Sequence, residues 1–163
     1  MAKVLIVGAG AAGLMAAGAA VRQGHQVTVL EHMEKPGQKI LVTGKGRCNV
    51  TNDCPAEEFL RHVRTNPRFL YSSLGAFPPA KTMELFENLG VELKVERGKR
   101  VFPVSDRSLD VVLALEKYLK KNGVKLHLES PVESILIADG RAEGIRLKNG
   151  KEERADGVIV CTG

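Results

Sequence analysis

Two groups of residues in this chain have the types and spacing to do chemistry. The first is a glycine series, Gly8, Gly10 and Gly13, in G-x-G-x-x-G order, with Glu31 18 residues beyond Gly13. In such a series the first glycine makes a tight turn, the second lets backbone approach a pyrophosphate, and the third lets a helix pack on a strand. A carboxylate at Glu31 would accept hydrogen bonds from ribose hydroxyls and would repel a 2′-phosphate, which disfavours NADP at this particular site. The second group is the run "VTGKGRCNVTNDC" at 42–54, which gathers Gly44, Gly46, Arg47, Cys48, Asn49 and Cys54 without helical or strand periodicity. Three readings of it stand open: a redox pair of cysteines, a metal site, or a loop that wraps a cofactor with backbone and polar groups. A zinc site needs four ligands, and only Cys48, Cys54 and His62 are near one another in sequence, with no C-x-x-C spacing; no metal is expected.

The elements that must position these groups can be read from period and punctuation. Val4–Val7 is an apolar run meeting glycine, as in a buried parallel strand. The small-residue segment 11–24 predicts a tightly packed helix stopped by Gly24, and 25–31 predicts a second strand, so the glycine turn sits inside one βαβ unit with helix N–H groups aimed at its mouth. From His32 to Asp53 the pattern dissolves into a loop too long to be a mere connector. Helical segments are predicted at 55–65, 67–77 and 79–90, each opened by proline, then two short strands around Gly98. Residues 105–123 predict the strongest helix, with Ser105 or Ser108 as cap, Leu109, Val112, Leu115 and Leu119 as its core face, and Asp106 and Asp110 complementing its dipole. The remainder is strand, with Asp139-Gly140 and Asn149-Gly150 marking two tight hairpins of an antiparallel meander before the apolar run ending in "DGVIVCTG".

Composition bounds the class. A hydrophobic content of 44% and a charged content of 26% fit a globular domain of 163 residues and exclude disordered or collagen-like chains. No apolar run reaches the roughly 20 residues of a membrane span, so no membrane partner is expected. The apolar start could pass for a leader peptide, but the glycine spacing accounts for it better. Three cysteines, an odd number, fit reduced thiols and a cytoplasmic location rather than a disulfide framework. Of the net charge of +5, most lies at 61–100, with eight Lys and Arg against four Glu; without a nucleic-acid-binding motif this reads as a solvated face or an attraction to an anionic cofactor or substrate, and no nucleic-acid partner is expected. The four histidines read as surface or strand residues, and the sequence carries no signal for an oligomeric state.

The order of a βαβ unit, a long loop, a meander and an apolar strand ending in Thr-Gly resembles the FAD domain of two-dinucleotide-binding flavoproteins. The fold class it implies is α/β, a Rossmann-like FAD-binding domain with a parallel sheet and an antiparallel β-meander. By that resemblance Thr162 and Gly163 lie near FAD and the backbone of Val132 lies against adenine. Flavin disulfide reductases carry a cysteine pair after the second strand, but with four intervening residues and a Pro-Ser-Lys helix start; here five residues intervene and Pro55-Ala56-Glu57 follows.

The runs "KVLIVGAGAAGLMAA", "KPGQKILVTGKGRCNVTN" and "GKRVFPVSDRSLDVVLAL" match in order the bacterial flavoprotein family that includes BaiN-type bile-acid 4,6-dehydroreductases and aminoacetone oxidases. The resemblance covers essentially the whole chain and favours the cofactor-loop reading of 42–54. It implies that Gly8, Gly10, Ala12 and Gly13 meet the pyrophosphate and Glu31 the ribose, that Lys39, Gly46, Arg47, Cys48 and Asn49 line the phosphate-to-flavin side, and that Arg100 and "VFPVSD" pack near the active-site mouth. Members of the family are longer, so residues 1–163 are expected to be the N-terminal part of an FAD-binding domain, with a helical insertion at about 55–90 and with the substrate domain and C-terminal segment absent, and inactive alone. The implied function is the FAD-binding portion of a flavin-dependent, NAD(P)-linked oxidoreductase acting on a small organic substrate, with NAD(P)H a candidate electron donor and no catalytic residue assigned. The alternatives are a disulfide reductase using Cys48 and Cys54 and a non-catalytic dinucleotide-binding module.

Overall fold

The computed structural model describes residues 1–163. Along the chain run β1 (Lys3–Val7), α1 (Ala11–Arg22), β2 (Gln26–Leu30), α2 (Gln38–Val42), β3 (Thr51–Asn52), α3 (Ala56–Arg61), a 3-10 turn (Pro67–Leu70), α4 (Tyr71–Ala76) and α5 (Pro79–Asn88). There follow β4 (Leu93–Glu96), β5 (Arg100–Pro103), α6 (Ser108–Lys121), β6 (Lys125–His127), β7 (Val132–Ala138), β8 (Arg141–Leu147), β9 (Glu152–Arg154) and β10 (Gly157–Val160). The chain divides into two compact units, Met1–Ile40 with Leu115–Gly163, and Leu41–Ala114. No helix is long and apolar enough to cross a membrane.

The first unit is a four-stranded parallel sheet in the order β10-β1-β2-β6. Side chains alternate across such a sheet. Leu5, Val7 and Leu30 pack with Ile145, Val132, Leu147 and Val158, which seats the antiparallel β7-β8-β9 meander on the sheet. Helix α1 packs on β1 and β2, burying Gly13, Leu14, Ala17 and Gly18. Gly18 faces α6, where a Cβ would stand 3.3 Å from the Tyr118 ring. The parallel sheet and the meander are those expected from the sequence. Asp139 and Gly140, both left-handed, make the two-residue β7-β8 turn. The β8-β9 turn is longer than a tight hairpin: only Gly150 is left-handed there, and Leu147 N donates to Lys151 O at 2.8 Å.

The second unit is the antiparallel sheet β3-β5-β4, with α5 packed on β3 and β4 and with Phe86, Val91, Val101 and Phe102 buried. Within the stretch expected to be an unpatterned loop, the structure has the five-residue α2 and the two-residue β3, which pairs Thr51 with Val101. Both are too short to show a period. Helix α6 corrects the expected core face. Leu109 is 40% exposed, whereas Val111, Val112, Leu115 and Leu119 are buried. At 100° per residue the buried positions centre on Ser108, and Leu109 lies a quarter turn or more away. Ser108 is the first residue of the helix rather than its cap, and its hydroxyl donates to Leu41 O at 2.9 Å. Ser105 donates to Asp110 at 2.6 Å and accepts from Arg107 N at 3.4 Å.

Candidate dinucleotide-binding site

In the first unit, β1 ends at Gly8, whose φ is +101° and whose amide donates to Leu30 O at 2.8 Å. A Cβ there would lie 2.6 Å from Cys161 O, so the position admits only glycine. A Cβ on Gly13 would stand 1.9 Å from Gly8 O, which is the close helix–strand contact expected of the third glycine. Gly10 differs from both: a Cβ there meets nothing within 4 Å, so the turn opens to free space on this side. Gly10 is also the N-cap of α1, which has no side-chain cap and no acid in its first turn, and Ala11 and Ala12 are exposed. The first N–H groups of a helix have no partner within it, and together with the dipole they favour an anion.

Glu31 follows β2 and is 7% exposed. Its carboxylate accepts from Ala9 N at 2.6 Å and from Met33 N at 3.0 Å, and His32 Nδ1 stands 2.8 Å from it. The acid therefore braces the glycine turn from below, a role the spacing argument alone did not contain. A carboxylate has about four acceptor directions, so capacity for a ribose hydroxyl remains. Beyond β6, Glu129 N donates to Met33 O at 3.1 Å and Ser130 N to Glu31 O at 2.8 Å, which carries the chain past Glu31 into Val132. The Val132 side chain packs into the core, leaving its backbone as the group that can meet a ligand.

At the far end of β10, Cys161 N donates to Val7 O at 2.7 Å, and Thr162 Cα lies 3.3 Å from where a Gly8 Cβ would be. Gly163 is left-handed, and Lys39 Nζ lies 3.8 Å from the Cβ position of Gly163. The structure thus brings Gly8, Gly10, Ala12, Gly13, Glu31, Lys39, Thr162 and Gly163 to the carboxyl end of the parallel sheet, where ligands collect in open α/β folds.

In the second unit, residues 43–49 form a turn with left-handed backbone at Gly44, Lys45, Gly46 and Cys48. Gly44 sits where a Cβ would be 3.0 Å from Asn49 N and 3.1 Å from the Phe102 ring. Asn49 Nδ2 donates to Thr51 O at 2.7 Å and to Val101 O at 3.1 Å, tying the turn to β5. Arg47 Nε donates to Asp106 at 2.7 Å, its NH2 pairs with Glu96, and its guanidinium lies 4.2 Å over the Phe102 ring. Lys94 completes the cluster at 2.7 Å from Asp106. Asp106, read from sequence as a helix-dipole residue, is instead held below the ordinary carboxylate range by Lys94 and Arg47. Sequence reasoning also missed Glu96 and Phe102 as partners of Arg47, because both lie about 50 residues away along the chain and no local pattern signals them.

All three cysteines are free. Burial raises the Cys48 thiol, only partly offset by a hydrogen bond with Thr43, and burial followed by the nearby Glu58 raises Cys54. A redox-active dithiol needs a thiolate stabilised by its surroundings. These surroundings do the reverse, and the disulfide-reductase alternative has no support. No group of three or more His, Cys, Asp or Glu is placed to hold a metal ion.

The strand order, the seated meander and the open glycine turn define an FAD-binding Rossmann domain of the kind built into flavin-dependent oxidoreductases. The chain belongs to the HI0933-like protein Rossmann domain family, whose model matches residues 2–163. It is 36% identical to the 3-dehydro-bile acid delta(4,6)-reductase of Clostridium scindens over 100% of this chain and 39% of that protein. It is 30% identical to the ribosomal RNA dihydrouridine synthase of Escherichia coli K12 over 98% of this chain and 38% of that protein. The chain therefore spans about two fifths of the length of these relatives. Among solved structures, a 3-ketosteroid-delta4-(5alpha)-dehydrogenase from Rhodococcus jostii RHA1 shares the fold with a TM-score of 0.75 at 19% identity, covering 99% of this chain and 46% of that one.

Proposed function

We propose that this chain is the FAD-holding part of a bacterial, cytoplasmic oxidoreductase that takes reducing equivalents from NAD(P)H and saturates a carbon–carbon double bond conjugated to a carbonyl in a small organic substrate. FAD, when bound, supplies the two-electron hydride chemistry. The observation that carries the reading is the open, uncapped α1 N-terminus beside Gly10, framed by two glycines that tolerate no side chain. The names of the two relatives support the reaction class, since a delta(4,6)-reductase and a dihydrouridine synthase both remove unsaturation next to a carbonyl. Free cysteines fit a reducing compartment.

On this reading Gly8, Gly10, Ala12 and Gly13 meet the pyrophosphate and the remaining acceptor capacity of Glu31 meets the ribose. The backbone of Val132 faces adenine, Thr162 and Gly163 approach the cofactor from the strand end, and Lys39 contributes positive charge. Gly46, Cys48 and Asn49 line the flavin side through backbone and small polar groups, and Arg47 holds their turn in shape. Residues 1–163 then form one FAD-binding domain with a helical insertion at about 55–90, and the substrate domain belongs to the remainder of the full-length protein. Glu31 disfavours a 2′-phosphate, so NADPH, if it is the donor, binds elsewhere.

The test is a visible spectrum of the full-length protein, titrated anaerobically with NADH and NADPH and then with a conjugated enone. Flavin bands that bleach with one nicotinamide and return with the enone are the expected result. A protein that stays colourless after reconstitution with FAD overturns the reading.

A further inference from the structure

The stretch from Phe59 to Met83 contains three arginines and one lysine and not one Asp or Glu. Helix α3, the 3-10 turn and α4 pack on one another, with Asn66 in a left-handed conformation turning the chain between the first two. Between Phe59 and Phe77 only Leu60 is buried, with Val63, Leu70 and Leu74 half-buried beneath the exposed residues. Arg61, Arg64 and Arg68 are exposed; the first turn of α3 carries Glu57 and Glu58, and Glu58 is held by Lys99 at 2.8 Å. Among the arginines stand two bare aromatic rings, Phe69 at 79% and Tyr71 at 62% exposure. Large aromatics left this open, in a stretch with no acid from Phe59 to Met83, are what a surface for an anionic, ring-bearing partner requires.

We infer that Arg61, Arg64, Arg68, Phe69 and Tyr71 form a binding surface for single-stranded RNA. Guanidinium groups match phosphate bidentately and also stack, and exposed rings accept unstacked bases irrespective of sequence. A duplex hides its base faces, which makes the single strand the fitting partner. An anionic membrane is the competing partner for basic and aromatic residues, but it calls for one amphipathic helix with a continuous apolar face. Here the charges and rings are spread over α3, a four-residue turn and the six-residue α4. The expectation from sequence that no nucleic acid binds rested on the absence of a motif, and this surface has none; it is assembled from charge and exposure. The surface is independent of the flavin reading.

The experiment is fluorescence anisotropy of this 163-residue chain with a labelled oligouridine, at several salt concentrations, beside vesicles containing phosphatidylserine. Three phosphate contacts to a single strand give a slope of log affinity against log salt of about −2, a roughly twentyfold loss between 50 and 200 mM. The R61A/R64A/R68A variant abolishes that slope, and F69A and Y71A each weaken binding about fivefold or more. All five side chains are exposed, so the variants fold, which circular dichroism checks. A matched variant, K120A/K121A/K125A, removes the same charge from exposed positions in α6 and β6 and leaves binding unchanged. The proposal is overturned if the oligouridine does not bind, if the lysine variant weakens it as much as the arginine variant, or if only the vesicles bind.

Discussion

The guanidinium of Arg47 lies 4.2 Å over the ring of Phe102 while its edge is held by Glu96 and Asp106. One side chain thus ties a turn with four left-handed residues, Gly44, Lys45, Gly46 and Cys48, to strands β4 and β5 and to the approach to α6. Left-handed backbone at Lys45 and Cys48 is unfavourable on its own, by about 1 kcal/mol or more per residue. The surroundings must therefore over-determine it. The clamp explains why an arginine follows two glycines here: a lysine has neither the planar fork nor the stacking face. Replacing Arg47 with Lys is therefore expected to loosen the turn nearly as much as replacing it with Ala. Limited proteolysis after Lys45 reads this directly, with both variants cleaved faster than the parent and F102L intermediate. Equal protection in the lysine variant would show that charge alone holds the turn.

The same cluster gives a pH dependence. Lys94 first and Arg47 second hold the Asp106 carboxyl below its ordinary value. A depressed carboxylate contributes stability that is present above its unfolded pKa, near 4, and lost as pH falls through its lower folded value. The contribution is modest because these side chains are about a third or more exposed and solvent screens them. Thermal denaturation between pH 6 and 2 should show an acid-side loss that is smaller in D106N, whose stability at pH 6 already lacks the ion pairs. An acid limb identical in the two proteins would remove Asp106 from the account.

Gly10 and Gly13 should separate binding from folding. Gly13→Ala forces a Cβ to 1.9 Å from Gly8 O, a clash with backbone that nothing flexible can relieve, and a loss of several kcal/mol or failure to fold is expected. Gly10→Ala meets nothing within 4 Å and has an ordinary negative φ, so only the poorer N-cap lowers its stability, by about 1 kcal/mol or less. Its methyl group occupies the open side of the turn and should lower FAD affinity tenfold or more, read by flavin fluorescence on titration. Unchanged affinity in folded G10A would place the cofactor elsewhere.

Much of this was legible in the sequence where the determinant is local. The glycine spacing, the helix stop at Gly24 and the Asp139-Gly140 turn each follow from backbone geometry that neighbouring residues decide. Strands β1 and β2 declare themselves as apolar runs because they lie inside the parallel sheet and are largely buried, whereas the edge strand β10 is equally apolar yet leaves Ile159 and Val160 exposed. What escaped depends on contacts distant in sequence. On α6 the expected core residues Val112, Leu115 and Leu119 are buried, and only the fourth differs: Leu109 is as apolar as Val111, and only the packing distinguishes them. Glu31 was read as a ligand for a ribose, and its hydrogen bond to Ala9, 22 residues back, could not be seen from spacing. The resemblance places Arg47 on the cofactor side, and its partners Glu96 and Asp106, far away along the chain, show only in three dimensions.

The hydrogen bonds at Glu31 lead to a further expectation. Its carboxylate accepts from two backbone N–H groups in a nearly buried position. In Glu31→Gln one of the two oxygens becomes an NH2 donor, which must face a backbone donor, leaving one N–H without its partner. Charge-assisted hydrogen bonds of this type contribute about 1.5–3 kcal/mol each, so a drop in stability of about 2 kcal/mol is expected from urea denaturation. Glu31→Asp keeps the charge but is one methylene short, and should restore part of the stability while still weakening the dinucleotide. If Gln is as stable as Glu, the carboxylate does not brace the glycine turn, and its burial then serves the ligand alone.

The cysteines provide the last test, because two readings of residues 42–54 differ in what the thiols must do. Burial raises the Cys48 thiol, and burial with Glu58 raises Cys54, so in the folded protein both remain protonated at neutral pH. A raised thiol pKa favours the folded state below the unfolded value near 8.5, and that contribution is lost as pH climbs through the folded value. Native Cys48 should therefore react with an aromatic disulfide reagent at least tenfold more slowly than in urea at pH 7.5, since only the thiolate attacks. C54S should retain full flavin reduction by nicotinamide and full substrate turnover in the full-length protein. C48S places a smaller, more polar atom in a 7% exposed position and should lower stability without introducing or removing a redox step. Rapid labelling of both thiols in the native protein, together with loss of turnover in C54S, would restore the dithiol mechanism that the protonated thiols oppose.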